Sequence, residues 1–208
     1  MGDLDPKEIV RSGYDLVSHA YRGDDFGCEG SAYEAFLGWV LPELRAESRV
    51  LDLGCGNGLP VSRVLAERCR VIGVDISPVQ IERARDLVPG AEFVCADMVN
   101  YTPSPPLLDG VVAFYSLIHI PVTDQPALLE RIHSWLRPSG FLLAVVGAEE
   151  WTGTEDDWAG VAGATMYWSH PDPLTSRAWF EEGGFTIERE GFIPEGDGGG
   201  HTILLARA

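Results

Sequence analysis

The sequence predicts an α/β fold in which helices cover both faces of a doubly wound, mostly parallel sheet. Two observations support this fold class: short apolar runs alternate with helical patterns, and a glycine-rich turn leads from the first run into a helix. The run covers residues 50–53, glycines stand at positions 54, 56 and 58, and Pro60 marks the helix start. A chain of 208 residues can bury its own core, so we expect one domain over residues 1–208.

Residues 1–44 are expected to form an amino-terminal arm and a helix that precede the sheet. Glycines punctuate the first 30 residues, which predicts irregular structure with one helix over residues 5–19. Tyr14 and Tyr21 are seven residues apart and would lie on one face of that helix. A second helix is expected after Ser31, because apolar residues recur there at helical spacing.

Glycine-rich turns after a first strand bind three kinds of ligand, and the spacing of the glycines separates them. A dinucleotide turn needs glycine at position 59, where this chain has Leu59. A phosphate-binding loop needs lysine after its last glycine, but the only lysine is Lys7. What remains is a turn in which Asp52 precedes glycines at alternating positions, and these glycines let a ligand approach the backbone.

The next strands end in residues suited to a nucleoside. The run Arg70–Asp75 predicts a second strand whose terminal carboxylate can accept hydrogen bonds from both hydroxyls of a ribose. Residues 93–98 predict a third strand that ends near Asp97. Residues 109–120 predict a fourth strand that runs out into polar and aromatic side chains. The carboxyl ends of parallel strands share one edge, so these residues are expected to converge there.

The last third of the chain predicts three further strands. An apolar run over residues 141–146 predicts a fifth strand. Runs at 185–189 and 201–206 are joined by a loop that ends in the glycine-rich stretch 196–200, and such a link suits an antiparallel hairpin rather than a parallel crossover.

These marks, taken in order over roughly residues 45–208, resemble the class I S-adenosylmethionine (SAM) dependent methyltransferases. The resemblance implies a Rossmann-like sheet of seven strands in the order 3-2-1-4-5-7-6, with the last strand antiparallel. It also implies SAM as cofactor, S-adenosylhomocysteine (SAH) as product, and transfer of the methyl group to a small-molecule acceptor by in-line displacement.

The resemblance further implies which residues contact the cofactor. Asp75 would hold the ribose, Asp97 would accept from the adenine amino group, and the two tyrosines of the arm would fold over the pocket. The full set implied is Tyr14, Tyr21, Asp52, Gly54, Cys55, Gly56, Gly58, Asp75, Ile76, Asp97, Met98, Phe114, Tyr115 and Ser116.

Residues 149–170 are rich in tryptophan and tyrosine but lack a steady period, and they follow the fifth strand. Such a segment would lie over the carboxyl ends of the strands, so we expect it to form a substrate cap. Candidate substrate contacts are Tyr115, Trp151, Tyr167 and Trp168. The alternative is a packed surface loop.

Methyl transfer from a sulfonium mainly requires alignment and exclusion of water, but a hydroxyl or ammonium acceptor must also lose a proton. Histidine is the natural base near neutral pH. His119 leaves the fourth strand and His170 ends the aromatic segment, so both are candidate catalytic residues. Each could instead make a structural hydrogen bond or pack.

Composition excludes several classes of partner. The net charge of −17, with no basic cluster, would repel a phosphate backbone, so nucleic acid is not expected as a partner. No apolar run reaches the roughly 18 residues that span a bilayer, and the first nine residues do not resemble a signal peptide. The sequence has no Cys-x-x-Cys pair, so we do not expect a metal site. We expect a cytoplasmic protein, and the sequence leaves monomer or homodimer undetermined.

Other functions remain open at this stage. The same fold can bind SAM without methylating, as a different enzyme or as a regulatory binding module. A nicotinamide-dependent dehydrogenase is the other enzyme class considered, and Leu59 disfavours it.

Overall fold

A computed structural model describes residues 5–104, 107–196 and 199–208. Its centre is a seven-stranded sheet with the order β3-β2-β1-β4-β5-β9-β8, in which β1 to β5 are parallel and β9 is antiparallel to both of its neighbours. This confirms the predicted order, because β6 and β7 form a separate sheet. The sheet strands are β1 (Arg49–Leu53), β2 (Arg70–Asp75), β3 (Glu92–Cys95), β4 (Leu108–Ala113), β5 (Leu136–Gly147), β8 (Thr186–Glu195) and β9 (Gly199–Arg207).

Six helices cover the sheet in the described part of the chain. Ser77 caps one of them, since its hydroxyl accepts from the backbone N–H of Gln80 at 3.1 Å. Another helix begins after Asp124, because its first helical hydrogen bond runs from Leu128 to the carbonyl of Asp124. The helices are α1 (Pro6–Tyr21), α2 (Ala32–Leu37), α3 (Val61–Ala66), α4 (Pro78–Leu87), α5 (Gln125–Trp135) and α6 (Pro173–Glu182). Among the described residues, no helix is both long enough and apolar enough to cross a membrane.

The fourth strand is shorter than predicted. It ends at Ala113 rather than near position 120, because Tyr115 adopts a left-handed backbone with φ of 54° that cannot continue a strand. A single 3₁₀ turn over Leu117–His119 follows. The hydroxyl of Ser116 donates to the carbonyl of Leu53 and ties this exit to the end of β1.

The amino-terminal arm is more ordered than the sequence suggested. Its helix α1 lies on the carboxyl edge of the sheet, where Val17 is fully buried. Gly13 allows a close approach to the aromatic segment, because a Cβ there would lie 2.5 Å from the carbonyl oxygen of Thr165. On the other side, the buried guanidinium of Arg83 donates to the carbonyl and hydroxyl of Ser18. The arm therefore packs as part of the domain.

The aromatic segment at residues 149–170 is a hairpin rather than an irregular loop. Strands β6 (Trp151–Glu155) and β7 (Met166–His170) pair antiparallel, with Gly153 opposite Trp168. The sequence hid β6 because that strand is mostly exposed on both faces, so its residues do not alternate between apolar and polar. Of the predicted loop at 196–200, residues 197 and 198 lie outside the described residues.

Candidate functional site

Two adjoining cavities lie at the carboxyl edge of the sheet, beneath α1. The glycine-turn cleft is bounded by the turn after β1, the ends of β2 and β4, and the inner face of α1. The aromatic cavity has a volume of about 370 Å³ and lies between α1, Tyr115, the β6–β7 hairpin and the β8–β9 hairpin. The two cavities share the side chains of Tyr14, Tyr21, Arg22, Tyr115 and His119.

The glycine turn is built for close approach of a ligand. Gly54 has φ of 75°, and a Cβ on it would lie 2.2 Å from the Cβ of Ser116, so the position cannot hold a side chain. Gly56 has φ of 54° and lines the cleft with no atom within 4 Å of where its Cβ would be. The N–H of Gly54 donates to Val74 on β2, which anchors the turn.

Asp75 lies at the end of β2 with both carboxylate oxygens in use. One accepts from the N–H of Gly56 at 2.8 Å and the other from the N–H of Ser77 at 2.9 Å. Burial raises the pKa of Asp75 to about 6, and these two hydrogen bonds oppose the shift. Each oxygen has a second lone pair, so Asp75 can still accept from ligand hydroxyls in the cleft.

Three residues predicted to contact the cofactor lie behind the turn instead of lining the cleft. Asp52 is buried beneath it and accepts from the hydroxyl of Ser62 at 2.6 Å. Burial raises the pKa of Asp52 to about 7, while the hydrogen bond from Ser62 lowers it and the charge of Asp75 adds to the rise. The thiol of Cys55 faces Gly73 on β2, and Gly58 packs against α4 and β3. Their contribution is to shape the turn.

Asp97 has an unexpected partner from the arm. The ammonium of Lys7 lies 3.0 Å from one oxygen of Asp97 and 3.4 Å from Asp124, so the only lysine of the chain joins α1 to two loops. Partial burial works to lower the pKa of Lys7, but the hydrogen bond and the charge of Asp97 raise it overall. Lys7 and Asp97 both line the cleft. Ile76, Met98, Phe114 and Ser116, also predicted, line it too.

His119 is buried with both ring nitrogens engaged. Nδ1 lies 2.7 Å from the carbonyl oxygen of Tyr167, so this nitrogen carries the proton and donates. Nε2 then accepts from the hydroxyl of Tyr14 at 2.9 Å. Burial lowers the pKa of His119 to about 4, against the effect of the Tyr167 carbonyl, so the ring is neutral at pH 7. This geometry argues against His119 as a general base and gives it the role of holding Tyr14.

The cap residues divide into those that face a cavity and those that do not. Trp168 lines the aromatic cavity and stacks 4.4 Å from the ring of His119. Trp151, on β6, is 41% exposed. Tyr167 accepts a hydrogen bond from His119 through its backbone carbonyl, and its ring lines neither cavity. His170 donates from Nδ1 to the carbonyl of Glu149 at 2.7 Å and lines neither cavity, which corrects its selection as a second candidate base.

Arg22 is the most informative residue that sequence reasoning missed. Its guanidinium donates to the carbonyl of Leu59 and to the hydroxyl of Tyr33, and it lies 4.8 Å from the ring centre of Phe26. No carboxylate among the described residues forms an ion pair with it. A lone arginine at a helix end carries no motif, so no sequence signal could have found it.

The described residues fit a nucleoside joined to an amino acid. Besides Asp75 and the open backbone at Gly56, the amide nitrogen Nδ2 of the buried Asn57 has no hydrogen-bond partner in the structure and its side chain lines the cleft. Arg22, which has no carboxylate partner among the described residues, lines the same cleft, and such donors are suited to a carboxylate. Within the described ranges, no three histidine, cysteine, aspartate or glutamate side chains come together as a possible metal site.

A doubly wound sheet of this order, with this turn and a carboxylate at the end of β2, defines the class I SAM-dependent methyltransferase fold. Residues 50–140 match the family described as the methyltransferase domain. The match spans less than half of the chain, and it makes the chain similar to the class I SAM-dependent methyltransferases, whose cofactor is SAM.

Relatives of known name agree with this assignment. The chain is 38% identical over 113 residues to 27-O-demethylrifamycin SV methyltransferase of Amycolatopsis mediterranei, a match covering 51% of this chain and 40% of the relative. It is 38% identical over 112 residues to carboxy-S-adenosyl-L-methionine synthase of Geobacter metallireducens, covering 48% and 44%. The chain therefore spans less than half the length of these curated relatives.

The fold itself matches solved structures along its whole length. Magnesium protoporphyrin IX methyltransferase from Synechocystis PCC 6803, crystallised with SAH, superposes with a TM-score of 0.75 at 19% identity, covering 98% of this chain and 99% of that one. The [4+2]-cyclase SpnF superposes with a TM-score of 0.71 at 17% identity, covering 95% and 96%. At these identities the likeness extends to the fold.

Proposed function

We propose that the protein binds SAM in the glycine-turn cleft and transfers its methyl group to a small-molecule acceptor in the aromatic cavity. The observation that carries this proposal is that the two cavities adjoin and share one wall. A donor in the cleft and an acceptor in the cavity would meet at that wall, which is the alignment an in-line displacement requires. The aromatic side chains around the cavity, most of them partly buried, would limit the access of water to the reacting atoms.

In this proposal different residues of the cleft bind different parts of SAM, the methyl donor. SAM supplies a methyl group that is already electrophilic on a positively charged sulfur. Asp75 accepts hydrogen bonds from the ribose hydroxyls, and Asp97 accepts from the adenine amino group. The backbone at Gly54 and Gly56 faces the amino-acid end. Support comes from the position of all four residues on the cleft wall.

Arg22 and Asn57 are assigned to the carboxylate of the donor. The guanidinium is partly buried, lacks an ion-pair partner in the described chain, and is positioned by the carbonyl of Leu59 just beyond the glycine turn. Nδ2 of Asn57 is a second donor without a partner. A carboxylate placed between them would satisfy both groups, and hydrogen bonds to charged groups are the stronger kind.

The acceptor side of the proposal rests on Tyr115 and Trp168, which both line the aromatic cavity. Tyr115 keeps a left-handed φ of 54° at the boundary of the two cavities, and such strained positions concentrate at functional sites. Tyr14 and Tyr21 close the cleft from the arm, with Tyr14 held by His119.

Calorimetry with SAM, SAH and NAD tests the donor site directly. We expect SAM and SAH to bind and NAD not to bind. SAH at about 100 times its dissociation constant should add roughly 2.7 kcal/mol to the free energy of unfolding. Stabilisation by NAD equal to that by SAH would overturn the donor assignment.

Turnover is tested separately by incubating the protein with SAM and a panel of small acceptors and measuring SAH release. SAH formed together with a methylated product supports the transferase. Tight SAH binding without SAH release on any acceptor would favour a non-methylating function, a possibility motivated by the cyclase and the synthase among the similar proteins.

We also infer that the chain is one domain that acts in the cytoplasm on a small molecule. The four cysteines are free thiols, with Cys55 and Cys69 buried, as expected in a reducing compartment. The net charge of −17 disfavours nucleic acid as the acceptor. Secretion with disulfides formed, measured by thiol titration of the native protein, would contradict this placement.

A further inference from the structure

The wall of the aromatic cavity indicates the shape of its ligand. Seven of its eleven lining side chains are phenylalanine, tyrosine or tryptophan, two are histidine, and the remaining two are Arg22 and Glu195. None of the described residues on this wall has an aliphatic side chain. Aromatic rings prefer offset-stacked and edge-to-face contacts with other rings, so a planar aromatic molecule fits best. A volume of about 370 Å³ lies within the range of small-molecule sites.

The polar atoms of the same wall indicate what that ligand carries. Nε1 of Trp168 is buried without a hydrogen-bond partner in the structure, whereas Nδ1 of His201, which makes no aligned hydrogen bond, has the carboxylate of Glu195 at 3.3 Å. An indole N–H can only donate, so the ligand must offer an acceptor to it. An oxygen on the aromatic ring would supply one.

His201 and Glu195 form a pair at the edge of this cavity. His201 lies on β9 opposite Ile193 of β8, and Glu195 lies two residues further along β8. Nδ1 of His201 is 3.3 Å from Oε2 of Glu195. A carboxylate beside Nδ1 favours the proton on that nitrogen, which leaves Nε2 as a free acceptor. The His201 ring is also 5.3 Å from that of Tyr115, which borders both cavities.

The other two histidines near the cavities lack this arrangement. Both nitrogens of His119 are engaged, one by Tyr167 and one by Tyr14. His170 donates to Glu149 and lines neither cavity. Of the three, His201 combines a place on the aromatic cavity, an orienting carboxylate, and an Nε2 that bonds to no residue in the described chain.

We propose that the acceptor is a planar aromatic alcohol of the phenol class, and that Nε2 of His201, with the ring oriented by Glu195, takes its proton. This inference rests on the proposed methyl transfer. The acceptor oxygen forms a bond to the methyl carbon as the carbon–sulfur bond breaks. The electron pair of that bond stays on sulfur, and the hydroxyl proton passes to His201. His201 is thus a catalytic residue and Glu195 a positioning residue.

The charges around His201 agree with a base that is free at neutral pH. Burial lowers the pKa of His201, Glu195 raises it, and His170, whose ring centre is 6.4 Å away, lowers it again. Tyr115, His119 and Arg22 are the remaining titratable or charged groups on the cavity wall nearby. The ring is neutral at pH 7 and can accept a proton.

The test uses the full chain with SAM and 2-naphthol, with SAH formation as the readout. Wild type should methylate 2-naphthol, and kcat/KM should rise with pH to a plateau. His201→Gln should lower the single-turnover rate by about 10²–10⁴-fold, while SAH affinity stays within about twofold, because a base acts only on the acceptor. The loss should shrink with 4-cyanophenol, a more acidic phenol that is already partly ionised.

Glu195→Gln is the second variant, and it changes a largely exposed side chain, so folding is preserved. Removing this negative charge should lower the pKa of His201 and move the acid limb of the pH profile to lower pH. NMR titration of the His201 ring should show the same shift without any acceptor present. His19→Gln changes an exposed histidine of α1 that lines neither cavity, so it is the matched control and should keep the wild-type rate on 2-naphthol.

Each outcome decides one claim. Loss of SAH binding by wild type would remove the proposed function itself. SAH binding without methylation of either phenol would overturn the acceptor class and leave donor binding standing. His201→Gln could keep the wild-type rate and the wild-type acid limb of the pH profile, and this result would remove the histidine–glutamate pair from the mechanism. An unchanged His201 titration in Glu195→Gln would do the same.

Discussion

The hydroxyl of Tyr14 donates to Nε2 of His119 across 2.9 Å and joins the arm helix to the turn that follows the fourth strand. The two rings meet edge to face with centres 5.4 Å apart. Burial holds the pKa of Tyr14 well above its ordinary value, so it stays a donor at any working pH. Together with the Lys7–Asp97 ion pair at the start of α1, this contact ties the arm over the cleft.

Tyr14→Phe should lower the free energy of unfolding by about 1–3 kcal/mol, because it leaves the buried Nε2 of His119 without a donor. Urea denaturation measures this. Tyr21→Phe is the matched control, since the Tyr21 hydroxyl makes only a 3.5 Å contact to Arg22, and it should change stability by much less. Equal losses of stability in the two variants would show that the Tyr14–His119 hydrogen bond does not cause the destabilisation.

Asp75→Ala should weaken SAH binding by on the order of tenfold to a few hundredfold. The reason is that two charge-assisted hydrogen bonds at roughly 1.5–3 kcal/mol each are lost and water compensates in part. Calorimetry checks the change, with Asp86→Ala as control because Asp86 is an exposed carboxylate on α4. Affinity within twofold of wild type would show that Asp75 does not hold the ribose.

Arg22→Met should weaken SAH binding by about tenfold or more, since a charged hydrogen bond contributes about 1.5–3 kcal/mol. The same variant should bind 5′-methylthioadenosine, which lacks the amino-acid carboxylate, with nearly wild-type affinity. Competition binding with both ligands distinguishes a carboxylate contact from general loosening of the arm. Equal weakening for both ligands would reject the carboxylate role of Arg22.

Asp52→Asn should flatten the pH dependence of stability between about pH 4 and pH 7. The folded-state pKa of Asp52 is raised to about 7, chiefly by burial, so the folded protein binds a proton that the unfolded chain releases at lower pH. Wild type therefore loses stability from this group as pH rises through that window. An amide can still accept from the hydroxyl of Ser62, so the variant keeps that bond.

The measurement is the difference in urea midpoint between wild type and Asp52→Asn at pH 5 and at pH 8. The urea midpoint of the variant should rise relative to that of wild type at the higher pH. A difference that is constant across the two pH values would mean that Asp52 titrates normally in the folded state.

The glycine turn and the strand ends could be predicted from sequence because local rules decide them. Gly54 and Gly56 occupy left-handed backbone, which favours glycine, and at Gly54 a Cβ would also collide with Ser116. Asp75 and Asp97 were expected at one edge because parallel strands bring their carboxyl ends together, and both line the cleft. The order of all seven strands followed from the resemblance to the family.

Other features depend on contacts between distant parts of the chain, and no local pattern encodes them. Arg22 reaches the cleft only because α1 packs beside Leu59, and Lys7 meets Asp97 across 90 positions of sequence. The tautomer of His119 could not be predicted either, because a carbonyl 48 positions away decides which ring nitrogen carries the proton.

What the sequence by itself determined was the sheet, the turn and the chemical type of the residues at the strand ends, because backbone conformation and hydrophobic pattern depend on neighbouring residues. Only the tertiary structure decided three features. These are which histidine of the cavities has a free nitrogen, that Arg22 faces the cleft without a carboxylate partner in the described chain, and where the two cavities meet. Burial, charge pairing and hydrogen-bond direction arise from atoms that folding brings together, and these set the pKa values of His119 and Asp52.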